Sequence, residues 1–396
     1  MDRIRRLRNP IRDYAWGSHS ALAQLSGRSY PTPGPEAELW MGAHPSAPSE
    51  VETEAGHVPL LEWIARDPVA VLGADVAERF GAELPFLFKV LAPARALSIQ
   101  THPNAAQARA GFARENAAGI ALDSPLRNYR DANPKPELIC ALSEFTALCG
   151  FRRVDAIVAG LASLELPGLV AELEALRVSG DAGLEGFFRG LMERPADARR
   201  ALADDAAEAA GRRAGGAPEY AEMQQLAQQF PGDVGVLAPL LLNLVQLAPG
   251  QALFLDAGNL HAYLRGVGVE LMANSDNVLR GGLTTKHVDV PELLATLRFH
   301  AGPPNVLQPG PGGAYATAAQ AFELLVLRSA AGAPRRVAGR RSVEILLCTE
   351  GRLRIAAERA GDVLELVPGQ AVLASAAAGA YRVEGAGVVY RAGVPR

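Results

Sequence analysis

Short apolar runs set off by Pro, Gly and Asn mark the chain up to about residue 150. Pro85-Phe86-Leu87-Phe88-Lys89-Val90-Leu91 and Ala96-Leu97-Ser98-Ile99-Gln100 are the clearest, and their length and punctuation predict strands. Between about Val154 and Leu247 the texture changes to Ala, Leu and Glu. There Tyr220, Met223, Ala227 and Phe230 recur at helical spacing, as do Val236, Leu237, Leu240, Leu241 and Leu244, which predicts a helical insert. Pro249-Gly250 closes it, and Gln251-Ala252-Leu253-Phe254-Leu255 returns to strand character. From about Val337 onward, Val343–Cys348, Arg352–Ala356 and Val388–Ala392 read as strands, broken by Glu350-Gly351, Pro368-Gly369 and Gly385-Ala386-Gly387. Many short strands punctuated in this way indicate a sandwich or barrel of the jelly-roll kind. No internal repeat of fixed period is visible.

Composition narrows the picture. A chain of 396 residues is long enough for two or three domains and a sizeable core, and its 49% hydrophobic and 21% charged residues are ordinary for a globular protein. A formal net charge of -4 gives no electrostatic reason to expect a nucleic-acid or anionic-membrane partner. Any positive charge that meets an anionic ligand must be local to one site. The three cysteines, Cys140, Cys149 and Cys348, lack CxxC spacing, which favours a reducing compartment. No run approaches the roughly 18 apolar residues that cross a bilayer. The early arginines Arg3, Arg5, Arg6, Arg8 and Arg12 lie between Asp2 and Asp13, include no apolar h-region and run into a recognisable structural segment by Asn9, so the start reads as a mature N-terminus.

Only seven histidines are present, so the setting of each matters. In Ser98-Ile99-Gln100-Thr101-His102-Pro103-Asn104, strand alternation points Gln100 and His102 to one face, where both can reach a metal. The plain alternative is a polar strand end in water. In Asn133-Pro134-Lys135-Pro136-Glu137 two prolines fix an extended segment that holds Lys135 and Glu137 in set directions. Taken alone, it reads as a charged surface loop. Asp256-Ala257-Gly258-Asn259-Leu260-His261-Ala262-Tyr263 carries a strand into a Gly-Asn turn that delivers a histidine, at the kind of junction where ligands sit; alone, it is a turn histidine beside Tyr263. Together these stretches offer two imidazoles, one carboxylate and one amide oxygen. That set suits Zn²⁺, with Mn²⁺, Co²⁺ or Fe²⁺ acceptable at the same kind of site. A fourth stretch, Glu270 through the turn residues Asn274-Ser275-Asp276-Asn277 to Arg280-Gly281-Gly282, places acid and arginine beside a flexible glycine pair; alone, it is an Asx turn with a solvated arginine.

In this order the blocks resemble the type I mannose-6-phosphate isomerase (phosphomannose isomerase) family. The match includes Asn9-Pro10, Tyr14-Ala15-Trp16-Gly17-Ser18 and Glu38-Leu39-Trp40-Met41-Gly42-Ala43-His44-Pro45, then the Gln-Thr-His-Pro-Asn and Lys-Pro-Glu runs. It is densest from Pro231 to Gly282, and it covers roughly residues 9–295. The resemblance implies a mainly β chain: a cupin-type jelly roll over 1–152 plus 236–330, a helical insert over 153–235 and a C-terminal β domain, cupin-like, over 331–396. It implies one Zn²⁺ per chain, held by Gln100, His102, Glu137 and His261, and interconversion of mannose 6-phosphate and fructose 6-phosphate through an enediolate. Catalytic roles fall on Arg280, Asp276, Lys135 and Glu270. Lys89, Ser98 and Lys286 fall where the phosphate is met. Trp16, like Trp40, offers an indole to a sugar face or to the core. A cytoplasmic monomer acting on a small-molecule sugar phosphate follows, with no nucleic-acid or membrane partner.

One departure is plain: many family members read Asn-His-Lys-Pro-Glu where this chain has Pro134, so no mechanism needing a histidine beside that lysine operates here. His44 is expected to be structural, His19, His57 and His300 to lie on the surface, and His287 at the site's rim. The rivals are an isomerase for another phosphosugar or a free sugar, an iron-dependent cupin dioxygenase, and a non-catalytic sugar-binding cupin. Gln100 as a ligand argues against the dioxygenase. No Gly-rich nucleotide-binding segment is present to join mannose 1-phosphate to a nucleotide.

Overall fold

The structure, a computed structural model, describes residues 4–213, 215–339, 341–359, 361 and 363–395. Arg3, counted in the basic N-terminal run, lies outside the described residues. Among the described residues the strands form three sheets, of nine, seven and five strands, and every pairing between named strands is antiparallel. The seven-stranded sheet runs in the order Val306–Leu307, Ala252–Leu255, Glu137–Ala141, Gly268–Ala273, Phe86–Leu91, Glu38–Met41, Ile11–Arg12. The five-stranded sheet runs Leu242–Leu247, Phe145–Phe151, His261–Arg265, Ile99–Thr101, Leu279–Gly282.

Strand alternation explains how the layers stack. Phe86, Phe88 and Val90 turn one way, and with Leu138, Cys140, Val269 and Leu271 they pack against Leu324, Ile345, Leu347 and Leu373 of the nine-stranded sheet. Leu91, Ile139, Ala141, Leu253 and Leu255 turn the other way, toward Phe145, Ala147, Cys149 and Tyr263 of the five-stranded sheet. On the far side of that sheet, Leu148, Ala262, Leu264 and Leu279 are covered by the helices Val154–Ser163, Val170–Ser179, Leu184–Met192, Ala196–Gly211 and Pro218–Gln229. The layers are therefore helices, five-stranded sheet, seven-stranded sheet, nine-stranded sheet. No helix is long and apolar enough to cross a membrane among the described residues.

Three local expectations need correction. The helical spacing from Val236 to Leu244 holds only to Leu241. Leu242 takes φ -109° and ψ 155°, and Leu242–Leu247 pairs as a strand with Phe145–Phe151. An apolar run of that length satisfies both periods, and the open sheet edge decides it. Glu350-Gly351 and Gly385-Ala386-Gly387 do not break strands: Glu344–Ala357 and Tyr381–Gly393 run through them, paired, with a register shift between Cys348 and Glu350. A Cβ on Gly351, at φ +76°, would run into the Ala386 carbonyl, and one on Gly387 into the Glu350 carbonyl. Glycine here lets two long strands bend together. Finally, the first part, expected to be β-rich, also holds the short helices Ala21–Leu25, Leu60–Arg66, Pro68–Leu72 and Ala74–Phe80 and a longer one, Ala105–Ala117, that its weak amphipathicity hid. It is started by a capping box in which Asn104 accepts from Ala106 and Gln107 amides and Gln107 returns a bond to the Asn104 amide.

Candidate active site

Between the seven- and five-stranded sheets, polar residues occupy one end of a space that is otherwise apolar. Directly opposed residues on neighbouring strands share a face. On the seven-stranded sheet, Trp40, Lys89, Glu270 and Ile139 form one such row, and Glu38 and Glu137 lie two residues along the same face. On the five-stranded sheet the row is Cys149, His261, Gln100 and Arg280. His102 sits just beyond the strand Ile99–Thr101. Gln100 is paired across the strands with His261 on one side and Arg280 on the other.

His102 Nε2, His261 Nε2 and a Glu137 carboxylate oxygen lie within 4.8 Å of one another, all buried. His102 Nε2 is 3.2 Å from Glu137 Oε1, and His261 Nε2 is 3.5 Å from Oε2. His102 Nδ1 faces the Asn277 carbonyl at 2.8 Å, and His261 Nδ1 faces the Asn259 carbonyl at 3.1 Å. A carbonyl only accepts, so each Nδ1 carries the proton and each Nε2 presents a lone pair. Both Nε2 atoms are buried and have no hydrogen-bond partner among the described residues. Two lone pairs and a carboxylate aimed at one point repel one another unless a cation sits between them, and this donor set fits a divalent metal. Burial lowers the His102 pKa to about 4 against the upward pull of Glu137, which keeps the ring neutral. Burial pushes Glu137 up, but Lys135 and the two imidazoles together hold it well below the ordinary carboxylate value. The Lys135 ammonium lies 3.1 Å from Glu137 Oε1, and the Tyr263 hydroxyl donates to Oε2 at 3.4 Å.

A second group adjoins the first. Lys89 is buried between Glu270, at 3.1 Å, and Glu38, at 3.4 Å, with its ammonium 5.3 Å from the Trp40 ring centre. Burial alone would lower the Lys89 pKa, but Glu38, Glu270 and Glu137 together raise it. Burial, with help from Glu137 and Glu38 and against Lys89, pushes Glu270 up to about 7. The Trp40 indole donates to Glu38 Oε2 at 2.5 Å.

Asp276 stands half exposed at the mouth, with Oδ2 3.3 Å from His44 Nε2. Because His44 Nδ1 accepts the Ser46 amide at 3.3 Å, Nε2 carries the hydrogen that points at Asp276. That bond is the main reason the Asp276 pKa lies below its usual value. His44 was expected to be structural; the structure joins it to a predicted catalytic carboxylate, while its ring packs against Trp40 at 5.1 Å. Arg280 is half-buried and Lys286 exposed, and neither forms an ion pair among the described residues. Burial and the nearby Arg130 lower the Arg280 pKa; burial, Arg280 and Arg130 lower that of Lys286.

The predicted residues therefore fall in three neighbouring groups. Lys135 joins Glu137, His102 and His261; Glu270 joins Lys89; Arg280 and Lys286 form a cationic corner. Ser98 is half-buried just before the strand Ile99–Thr101, and Gln100 is half-buried; neither side chain has a hydrogen bond among the described residues. Trp16 lies farther out, stacked on Tyr14 at 5.8 Å, and Tyr14 in turn receives Arg12, which also caps Trp40. His19, His57, His287 and His300 are exposed, and the three cysteines are free and buried. Sequence reasoning missed Glu38, Arg130, Asn277 and the role of His44. Of these only Glu38 carried a local signal, because it alternates with Trp40 on one strand.

Comparison with known proteins adds independent findings. Residues 4–154 match the family model described as phosphomannose isomerase type I, catalytic domain. Mannose-6-phosphate isomerase of Escherichia coli K12 is 41% identical over 398 residues, 98% of this chain and 99% of that protein. The Salmonella typhimurium protein of the same name is 45% identical over 78% of each chain. Among solved structures, a single-substitution variant of phosphomannose isomerase from Salmonella typhimurium superposes with a TM-score of 0.92 at 37% identity, covering 99% of this chain and 100% of that one. A zinc-bound mannose 6-phosphate isomerase gives 0.91 at 37% identity with the same coverage.

Proposed function

This chain belongs to the type I phosphomannose isomerase family, and from that premise we propose that it interconverts mannose 6-phosphate and fructose 6-phosphate at a single Zn²⁺ per chain. The observation that carries the proposal is the buried trio His102, Glu137 and His261, whose free Nε2 lone pairs and carboxylate face one point. Gln100, on the same face as His261, completes the ligand set. When bound, the metal polarises the substrate oxygens and stabilises negative charge on them.

The remaining work falls to the chain's own side chains. Isomerisation takes the proton from C2 of the open-chain aldose and returns one to C1 of the enediolate, while a hydroxyl proton moves between the two oxygens. Arg280, permanently charged and with no carboxylate of its own, faces the developing oxyanion. Asp276, Glu270 and Lys135 are the proton-handling groups. His44 keeps Asp276 ionised, and burial brings Glu270 to about 7, where a side chain can both take and give a proton near neutrality. The phosphate meets Lys286 beside Arg280, with Ser98 as a hydroxyl donor. Lys89, its ammonium already shared by Glu38 and Glu270, holds Glu270 in place and turns a donor toward the sugar. Trp16 and Trp40 offer indole faces along the approach. The architecture reads as a cupin-type jelly roll over 1–152 and 236–330, a helical insert over 153–235 and a C-terminal β unit over 331–396 whose sheet also takes in Ile4–Arg8 and Glu50–Thr53. The protein is read as a cytoplasmic monomer whose partner is a small sugar phosphate.

The test is turnover of mannose 6-phosphate to fructose 6-phosphate by metal-quantified protein, before and after chelation. Loss on chelation and recovery with Zn²⁺ supports the whole reading. Stoichiometric metal without turnover keeps the metal centre and removes the substrate, and Pro134 becomes the first difference from the family to examine.

A further inference from the structure

The turn Asn274-Ser275-Asp276-Asn277 does more than reverse the chain. Asn277 is fully buried, and its amide is saturated by a different loop. Its Oδ1 accepts the Arg130 and Asp131 amides at 2.7 and 3.2 Å, while its Nδ2 donates to the Asp131 and Asn133 carbonyls, both at 2.9 Å, and reaches Asp131 Oδ1 at 3.2 Å. Asp131 answers from the other side: its carboxylate accepts the Ser275 hydroxyl at 2.8 Å, the Asp276 amide at 2.8 Å and the Asn133 amide at 2.9 Å. The Asn277 backbone carbonyl is the acceptor that fixes His102 Nδ1 at 2.8 Å. One residue thus joins, through its side chain, the segment leading into Lys135 and Glu137 to the turn that presents Asp276 and, through its backbone carbonyl, the ring of His102.

We propose that Asn277, paired with Asp131, is a positioning residue that sets the spacing and ring tautomer of the metal-binding trio. The proposal rests on the reading of His102, Glu137 and His261 as metal ligands. The chemistry of the position is restrictive. An aspartate there keeps the acceptors but turns a carboxylate toward the Asp131 carboxylate and two carbonyls. An alanine or leucine leaves several buried backbone groups without partners. Groups that orient a metal-bound histidine act on affinity as well as on turnover.

The experiment measures Zn²⁺ affinity by competition with a chromophoric chelator, together with the ¹⁵N tautomer signature of His102, in the parent, Asn277→Ala, Asn277→Asp, and Asn277→Asp combined with Asp131→Asn. Asn277→Ala is expected to bind Zn²⁺ about 10–100-fold more weakly and to lose the fixed Nδ1–H form of His102 in the metal-free protein. Exchanging the two residues restores a donor–acceptor pair, so the double variant should bind more tightly than Asn277→Asp alone. A folded Asn277→Ala that holds Zn²⁺ as tightly as the parent, with the tautomer unchanged, overturns the proposal. If Asn277→Ala does not fold, the exchange decides: a double variant no better than Asn277→Asp overturns it equally. A parent that binds no Zn²⁺ removes the metal-centre reading itself, whereas a parent that binds it while the variants match removes the role of Asn277 alone.

Discussion

Arg391 and Glu344 are buried in the C-terminal sheet with Nη1 3.2 Å from Oε1, and the Tyr381 hydroxyl donates to Glu344 Oε2 at 2.7 Å. Glu137 is as deeply buried between the other two sheets, yet it faces two imidazole lone pairs. The first cluster matches charges of opposite sign within the chain, Arg391 lying 3.8 Å from Glu323 as well as beside Glu344, although Glu344 Oε1 and Arg391 Nε make no hydrogen bond among the described residues. In the second, Lys135 supplies one positive charge at the edge, and no described residue makes a hydrogen bond to either imidazole Nε2. The same residue class at the same depth therefore serves two ends. A buried charge matched by its opposite within the chain belongs to the fold, and removing one member strands the other. A buried set of acceptors that is incomplete belongs to a ligand.

That difference can be broken most sharply at His261. Replacing it with alanine should abolish stoichiometric metal and cut turnover about 10³-fold or more, the equivalent of several kcal/mol of lost charge stabilisation, with the fold intact by circular dichroism. Arg391→Met is the mirror experiment. It should cost about 3–5 kcal/mol in urea unfolding by stranding Glu344, while metal content and kcat of the folded fraction stay at the parent level. If Arg391→Met lost metal as well, the two clusters would not be independent. Arg280→Met is expected to lower kcat about 10²–10³-fold with metal retained, measured by steady-state kinetics on metal-quantified protein. The smallest effect concerns pH. Glu270, raised from 4.5 to about 7, binds a proton in the folded state over a range where the unfolded chain has lost it. Its contribution to stability is full below about 4.5 and fades as pH rises through about 7. The metal-free parent should therefore lose stability between pH 5 and pH 7.5 relative to Glu270→Gln, compared by urea midpoint.

Much of the site was legible because strand alternation is a strict rule over short distances. Lys135 and Glu137, brought to one place by a proline-stiffened segment, follow from local sequence, whereas the pairing of Gln100 with His261 joins strands about 160 residues apart. Most of the missed partners are non-local. Asn277 looks like a turn residue until the segment 130–133 is laid against it. His44 looks structural until the strand after Glu38 brings it under Asp276. Arg130 is one arginine among many until Arg280 and Lys286, neither in an ion pair among the described residues, are found near it. The same limit applied to the fold. Short apolar runs and their punctuation predicted Phe86–Leu91 and Ala252–Leu255, but whether Leu242–Leu247 became helix or strand depended on an open edge almost a hundred residues away in sequence, at Phe145–Phe151. The glycines at 351 and 387 read as stops when taken singly and as a shared bend once paired.

The strand Ile4–Arg8 lies between Ala371–Ala374 and Glu50–Thr53. Its partner at 371–374 leaves the ribosome some 370 residues after it, roughly 20–75 s later at 5–20 residues per second. Throughout that interval one side of Ile4–Arg8 has no neighbour, and closing so long a loop comes late for entropic reasons. Nascent chains should therefore pass through a stage in which the strands that carry Glu137 and His261 are already made while the first strand still waits. That exposed edge, carrying Arg5, Arg6 and Arg8 along it, is where charge rather than burial must hold off premature pairing with other chains.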